Sequence, residues 1–170
     1  INPINKKTTI KEAGDLYLRL HASTNCKPST YQTYQGYLNN VIVPFFGDIN
    51  INEISPILIK EFMKHMQDKG RINATVNKYV KFISAIYNFM IDSDIAVRNP
   101  LARIKSLKEV KNKKIRALCT EEVQALLSKT KKIYPDFYPL LFTAIFTGMR
   151  QGELMALTWD SINWITKKIT

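Results

Sequence analysis

Four times in its first hundred residues this chain repeats apolar side chains at helical spacing, and this rhythm narrows the fold more than any other feature. The longest run passes through Val76, Tyr79, Val80, Ile83, Ile86, Tyr87 and Met90, keeping a 3.6-residue period from Asn73 to about residue 92. Before it, Ile59, Phe62, Met63 and Met66 follow Ser55-Pro56, where a serine caps and a proline fills the first helical position; the run stops at Gly70. An earlier stripe, Tyr31, Tyr34, Leu38, Val41, Ile42 and Phe45, ends at Gly47. The first, Ala13, Leu16, Tyr17 and Leu20, follows Thr9 and Glu12 in capping-box spacing. A helix with one apolar stripe must bury it against another element, so residues 9–98 are expected to form a four-helix bundle behind a tail at residues 1–8. The methionines and aromatics on these stripes read as core.

The rhythm then breaks. Asn99-Pro100 stops any helix, and residues 99–118 read as a basic linker. Thr120 is expected to cap a helix over "EEVQALLSK", with Glu121 and Glu122 in its first turn. "FYPLLFTAIFTG" reads as a buried helix closed by Gly148, and "RQGELMAL" as a short one. "WDSINWITKKIT" turns from Asp160 and Asn163 into alternating β-branched residues, as a first strand without a partner would. The expected fold is mainly α, with residues 119–170 the start of a mixed α+β domain cut at its first strand.

Charge points to the partner. The net charge is +11, and it is unevenly placed: +3 over residues 1–97, +7 over residues 98–118 and +1 over residues 119–170. A polyanion is the natural counterpart of such a segment. Cys26 and Cys119 lie outside any zinc or disulfide spacing, and His21 and His65 have no partner ligands nearby, so neither metal nor cofactor is expected. No apolar run approaches the length of a membrane span and no secretion signal opens the chain, which suggests a cytoplasmic protein with no membrane partner.

One residue stands against the ordinary rules of helix ends. In "TGMRQGEL", residues 147–154, Gly148 ends one helix and Glu153 falls in the first turn of the next, which sets Arg150 at the positive end of a helix dipole. A bound anion would reverse that penalty, and backbone N–H groups with a guanidinium beside them suit a phosphodiester. Glu153 can reach back to fix the arginine's rotamer, or simply complement the dipole.

"TGMRQGELMALTWDSIN" resembles the first catalytic-arginine motif of the tyrosine recombinases, or phage integrases, TG-x-R-x-x-E-L-x-x-L-x-W-x-D-I. Upstream, "ALCTEEVQALLSK" resembles the opening helix of that family's catalytic domain, and the bundle with its linker resembles the core-binding domain. The resemblance implies that Arg150 holds the scissile phosphate, braced by Glu153. It implies attack by a tyrosine on a DNA phosphodiester, a covalent 3′-phosphotyrosyl intermediate, and resolution by a 5′-hydroxyl, with no metal or nucleotide. The family's lysine, second arginine box and nucleophilic tyrosine would belong downstream, since all eight tyrosines precede Arg150; the chain is read as a fragment inactive by itself.

The same resemblance implies a clamp on double-stranded DNA, with further protomers assembling to four on two duplexes in the whole protein. Arg103, Lys105, Lys113, Lys114 and Arg116 are the candidate phosphate contacts of the linker, although a solvated linker would look the same. Sequence preference would come from Thr30 and Thr33 on the second helix and from Lys78 and Lys81 on the fourth, whose polar stripe also holds Asn77, Ser84 and Asn88. The alternative function is a non-catalytic DNA-binding clamp, regulatory or architectural.

Overall fold

The computed structural model describes residues 7–109 and 116–169. The chain divides into two compact units, one within residues 1–112 and one within residues 113–170.

Among the described residues the first unit holds four helices. Helix α1 begins at Ile10, with the Thr9 hydroxyl accepting from the Glu12 N–H (3.2 Å) and the Glu12 carboxylate accepting from the Thr9 N–H (3.0 Å). It runs as Ile10–Tyr17, widens to a π-turn at Leu18–Ala22 and closes as Ser23–Asn25. Helix α2 has the same plan: Pro28–Tyr37, a π-turn at Leu38–Ile42, then Val43–Phe46. Helix α3 is Pro56–Asp68, capped by the Ser55 hydroxyl, and α4 is Asn73–Asp92.

The π-turns correct the expected core face. Each adds a residue to one turn and so rotates everything after it. In α1 the burial passes to Leu18 and Ala22, and Leu20, expected inside, is 54% exposed. In α2 it runs Leu38, Ile42, Phe46, while Val41 and Phe45 are only half-buried. Gly14 makes the crossing possible, because a Cβ there would collide with the Leu38 methyls. In α3 and α4 the expected stripes are the core: Ile59, Phe62, Met63, Met66, Val76, Tyr79, Ile83, Ile86, Tyr87 and Met90 are all buried, with Val80 half-buried.

The loop between α2 and α3 is stitched to the start of α1 and to the C-terminal half of α4. The Ile51 N–H donates to the Thr8 carbonyl (2.9 Å), the Ile10 N–H to the Ile49 carbonyl (3.1 Å), and the buried Tyr87 hydroxyl to the Ile51 carbonyl (2.7 Å). Residues 99–109 are not a free linker. Pro100 and Leu101 are buried, the Asn99 amide donates to Ser84 Oγ (2.9 Å) and Asn88 Oδ1 (2.8 Å), and the Leu107 backbone is bonded to the side chain of Asn77.

The second unit consists of α5 (Thr120–Ile133), a 3₁₀ turn at Pro135–Phe137, α6 (Tyr138–Thr147), α7 (Gln151–Met155), a second 3₁₀ turn at Trp159–Ser161, and two short strands. Cys119, rather than Thr120, is the N-cap of α5, and the Glu122 carboxylate accepts its N–H at 3.0 Å. Helix α6 was expected to be buried, yet none of its described residues is, and Phe142 and Phe146 are exposed. The few elements of this unit cover only part of its apolar circumference. Strands β1 (Ile162–Asn163) and β2 (Lys168–Ile169) pair antiparallel, Ile162 opposite Ile169 and Asn163 opposite Lys168. The expected solitary strand is therefore a hairpin. Asn163 Oδ1 accepts the N–H groups of Ile165 (3.1 Å) and Thr166 (2.9 Å), and Lys167 takes φ 55°, which closes the turn.

Candidate nucleic-acid interface

Three of the four expected groove contacts meet in one place. Thr33 of α2 and Lys78 and Lys81 of α4 line a groove of about 330 Å³ with Tyr34, Tyr37 and Phe82. Both lysines are exposed, as the cost of desolvating an unpaired ammonium requires. Tyr34 stacks on Phe82 at 4.5 Å between ring centroids, and Tyr37 meets Tyr79 edge-on at 4.9 Å, so the aromatic floor is packed from beneath. The Thr33 hydroxyl donates to the Ser29 carbonyl (2.8 Å) and keeps its lone pairs for an incoming donor. Thr30 is half-buried near the start of α2 and does not line this groove.

The polar stripe of α4 is split. Lys78 and Lys81 face outward, but Asn77 is 4% exposed and Ser84 is half-buried, both bonded to the returning segment. Asn77 and Ser84 are thus a seat for the protein's own chain, a correction to their reading as part of a DNA-facing stripe. Asn88 also binds Asn99. One signal lay in the sequence: Asn77 falls between Val76 and Tyr79 on the apolar side of a strongly periodic helix. A polar residue there needs a buried partner.

Arg103 and Lys105 are exposed on the returning segment. Arg103 lines a separate groove of about 370 Å³ with Arg98, Asn99, Pro100, Ala102 and Pro56. Lys113 and Lys114 lie outside the described residues. Arg116 is ion-paired with Glu122 at the start of α5 and remains 68% exposed. That carboxylate is held below the usual range, first by the Cys119 N–H and then by the Cys119 side chain and Arg116.

In the second unit, Gly148 ends α6 at φ 66°, a left-handed conformation that a glycine adopts without a Cβ clash. Two residues later Arg150 is the N-cap of α7, extended at φ −67°, ψ 151°. It therefore stands just before the first turn. Glu153 holds it twice: Oε2 accepts the Arg150 N–H at 2.9 Å and Oε1 accepts from Nη1 at 3.0 Å. The side chains are 87% and 53% exposed, so the pair contributes at most about 1 kcal/mol to stability. Its effect is geometric. One carboxylate fixes both the main chain and the guanidinium, while most of the guanidinium stays open to a ligand.

Among the described residues no group of three or more His, Cys, Asp or Glu side chains is placed to hold a metal ion, and no helix is long and apolar enough to cross a membrane. Cys26 and Cys119 are free thiols.

Residues 9–67 match the family described as phage integrase, N-terminal SAM-like domain. The chain is similar to the ICEBs1 integrase of Bacillus subtilis, 30% identical over 146 residues that make up 84% of this chain and 39% of that protein. It is 25% identical to a tyrosine recombinase XerC-like protein of Caldanaerobacter subterraneus over 150 residues, covering 84% of this chain and 38% of the relative. Among solved structures, the Tn1549 transposon integrase in complex with a circular intermediate DNA superposes with a TM-score of 0.75 at 20% identity, over 92% of this chain and 50% of that one. A lambda integrase tetramer bound to a Holliday junction gives 0.75 at 20% identity, over 95% and 47%. These structural matches establish the shared fold. The chain spans about two fifths of the length of its curated relatives. Residues 9–67 thus match the phage integrase N-terminal SAM-like domain, and the chain as a whole is similar to integrases and tyrosine recombinases.

Proposed function

We propose that this chain is the DNA-gripping portion of a site-specific recombinase, and that its arginine motif binds the phosphate at which strands are cut and rejoined. The observation that carries this is the double hold of Glu153 on Arg150, at 2.9 and 3.0 Å, within the motif TG-x-R-x-x-E-L. A guanidinium biased toward one rotamer by that pairing and largely exposed is suited to meet a phosphodiester bidentately. Arg150 neutralises the non-bridging oxygens as negative charge builds on them, and Glu153 keeps it from reorienting. In the complete protein a tyrosine hydroxyl attacks the phosphorus, the 3′-phosphotyrosyl bond forms and a 5′-hydroxyl leaves. A 5′-hydroxyl from another strand then attacks the same phosphorus and releases the tyrosine.

The substrate is duplex DNA inside the bacterial cell, and the working assembly is four protomers on two duplexes. The groove of Thr33, Lys78 and Lys81 supplies contacts in the first unit, with Thr30 alongside it and Arg103, Lys105, Lys113, Lys114 and Arg116 meeting phosphates. None of the tyrosines of residues 1–170 follows Arg150, and Tyr17, Tyr79 and Tyr87 are buried. The 170-residue chain alone is expected to bind duplex DNA without cutting it.

A duplex titration at two salt concentrations tests the binding. If Lys78, Lys81, Arg103, Lys105 and Arg116 each neutralise a phosphate, affinity falls roughly 500-fold between 50 and 200 mM salt, from a slope of about −0.9 per contact. Binding that does not depend on salt would overturn the proposal.

A further inference from the structure

After α4 ends at Asp92, residues 99–109 return along it, from Asn99 beside Ser84 and Asn88 to Leu107 beside Asn77 and Lys108 beside Asn73. The return covers about 22 Å, the rise of fifteen helical residues. Its far end is tied by a matched set of polar atoms. Asn77 Oδ1 accepts the Leu107 N–H (2.9 Å), and Asn77 Nδ2 donates to the Leu107 carbonyl (2.9 Å) and to Glu109 Oε1 (2.9 Å). The amide pairs with the main chain as a neighbouring strand would. Asn73 Nδ2 donates to the Lys108 carbonyl (2.8 Å), while Asn73 Oδ1 accepts from Gln67 Nε2 (2.8 Å).

We propose that Asn77 is a positioning residue for DNA binding, whose amide latches residues 107–109 to the half of α4 that carries Lys78 and Lys81. The inference rests on the duplex-binding reading above. With the latch closed, Arg103, Lys105 and Lys108 lie on a fixed strap whose last described residues, 107–109, sit at the half of α4 that carries the groove lysines. With the latch open, the last fixed point retreats to Asn99 and Leu101, which frees about 20–28 Å of extended chain. Cations without fixed places must be ordered again when DNA binds, at about 0.5–1.5 kcal/mol for each long side chain, so the expected fall in affinity is about three- to tenfold.

The test uses the 170-residue chain. Asn77→Asp keeps the side-chain volume and the acceptor for the Leu107 N–H, but removes both donors and sets a carboxylate against Glu109. The expected result is at least tenfold faster hydrogen exchange at the Leu107 amide, unchanged exchange in α3, and a three- to tenfold loss of duplex affinity at fixed salt. Adding Glu109→Gln, whose amide can donate to the new carboxylate, restores both. Leu107→Pro removes the latched N–H without touching a helix residue, and reproduces the affinity loss should Asn77→Asp fail to fold. If the unmodified chain shows salt-dependent binding and the variants bind equally well, the inference alone is overturned; a loss that Glu109→Gln leaves in place overturns it too. If the unmodified chain shows no salt-dependent binding, the proposed function falls and this inference with it.

Discussion

Replacing Gly14 and Gly36 by alanine, one at a time, should move stability in opposite directions, although both glycines lie inside helices. Alanine gains about 1 kcal/mol over glycine in a helix interior. At Gly36 nothing opposes that gain, since the nearest atom to an added Cβ is Asn40 Nδ2 at 4.0 Å. At Gly14 the Cβ would meet both Leu38 methyls, Cδ2 at 2.8 Å and Cδ1 closer still, and the fully buried Leu38 would have to shift within the packed core. Overpacking of this kind costs about 1–3 kcal/mol, so the net loss reaches about 2 kcal/mol. For a unit of this size the melting temperature should fall by up to about 16 °C for Gly14→Ala and rise by about 4–8 °C for Gly36→Ala. Thermal unfolding followed by far-ultraviolet circular dichroism reads the shift. Tryptophan fluorescence serves as the control, because Trp159 and Trp164 both lie in the second unit. A Gly14→Ala variant as stable as Gly36→Ala would refute the close crossing of α1 on Leu38.

Tyr87→Phe strips the Ile51 carbonyl of its buried donor and should cost about 1–2 kcal/mol, measured by urea unfolding. Burial pushes the Tyr87 phenol well above its ordinary value of 10, and burial, followed by Tyr34 and Cys26, raises that of Tyr17. These raised values stabilise the fold fully below about pH 10 and progressively less above it, as the unfolded chain ionises first. A urea midpoint that falls from pH 9.5 to 11, and falls less steeply in Tyr87→Phe, would agree; a flat profile would not. At the acid end, protonating Glu122 removes the cap of α5, so the protection of the Cys119 amide relative to its intrinsic exchange rate should fall as the pH drops through the lowered carboxylate range.

The helices were legible because their apolar periods and end residues agree: Ser55-Pro56 before α3, Thr9 and Glu12 at α1, Gly148 after α6. What the sequence concealed has a common physical origin. A π-turn leaves no compositional mark, so the stripe Ala13, Leu16, Tyr17, Leu20 drifts out of phase, and Leu18 and Ala22 take the buried positions. Cations and a proline made residues 99–109 read as a linker, but the partners that hold them, Asn77, Ser84 and Asn88, lie on α4 and disclose nothing of the pairing in one dimension. An apolar segment such as α6 reveals its helical form but not how much of it neighbouring elements cover. At the arginine motif, the spacing of Arg150 and Glu153 foretold their contact; that Glu153 would bind the main chain as well required coordinates.

The measurement that bears most directly on the arginine motif is covalent capture by the complete protein on a nicked duplex carrying its recombination site. Arg150→Ala should lower the yield of protein–DNA adduct by at least a hundredfold, as expected for loss of a charged group acting on the reacting phosphate, with duplex affinity within about threefold of the unmodified protein. Undiminished adduct from Arg150→Ala would contradict the account.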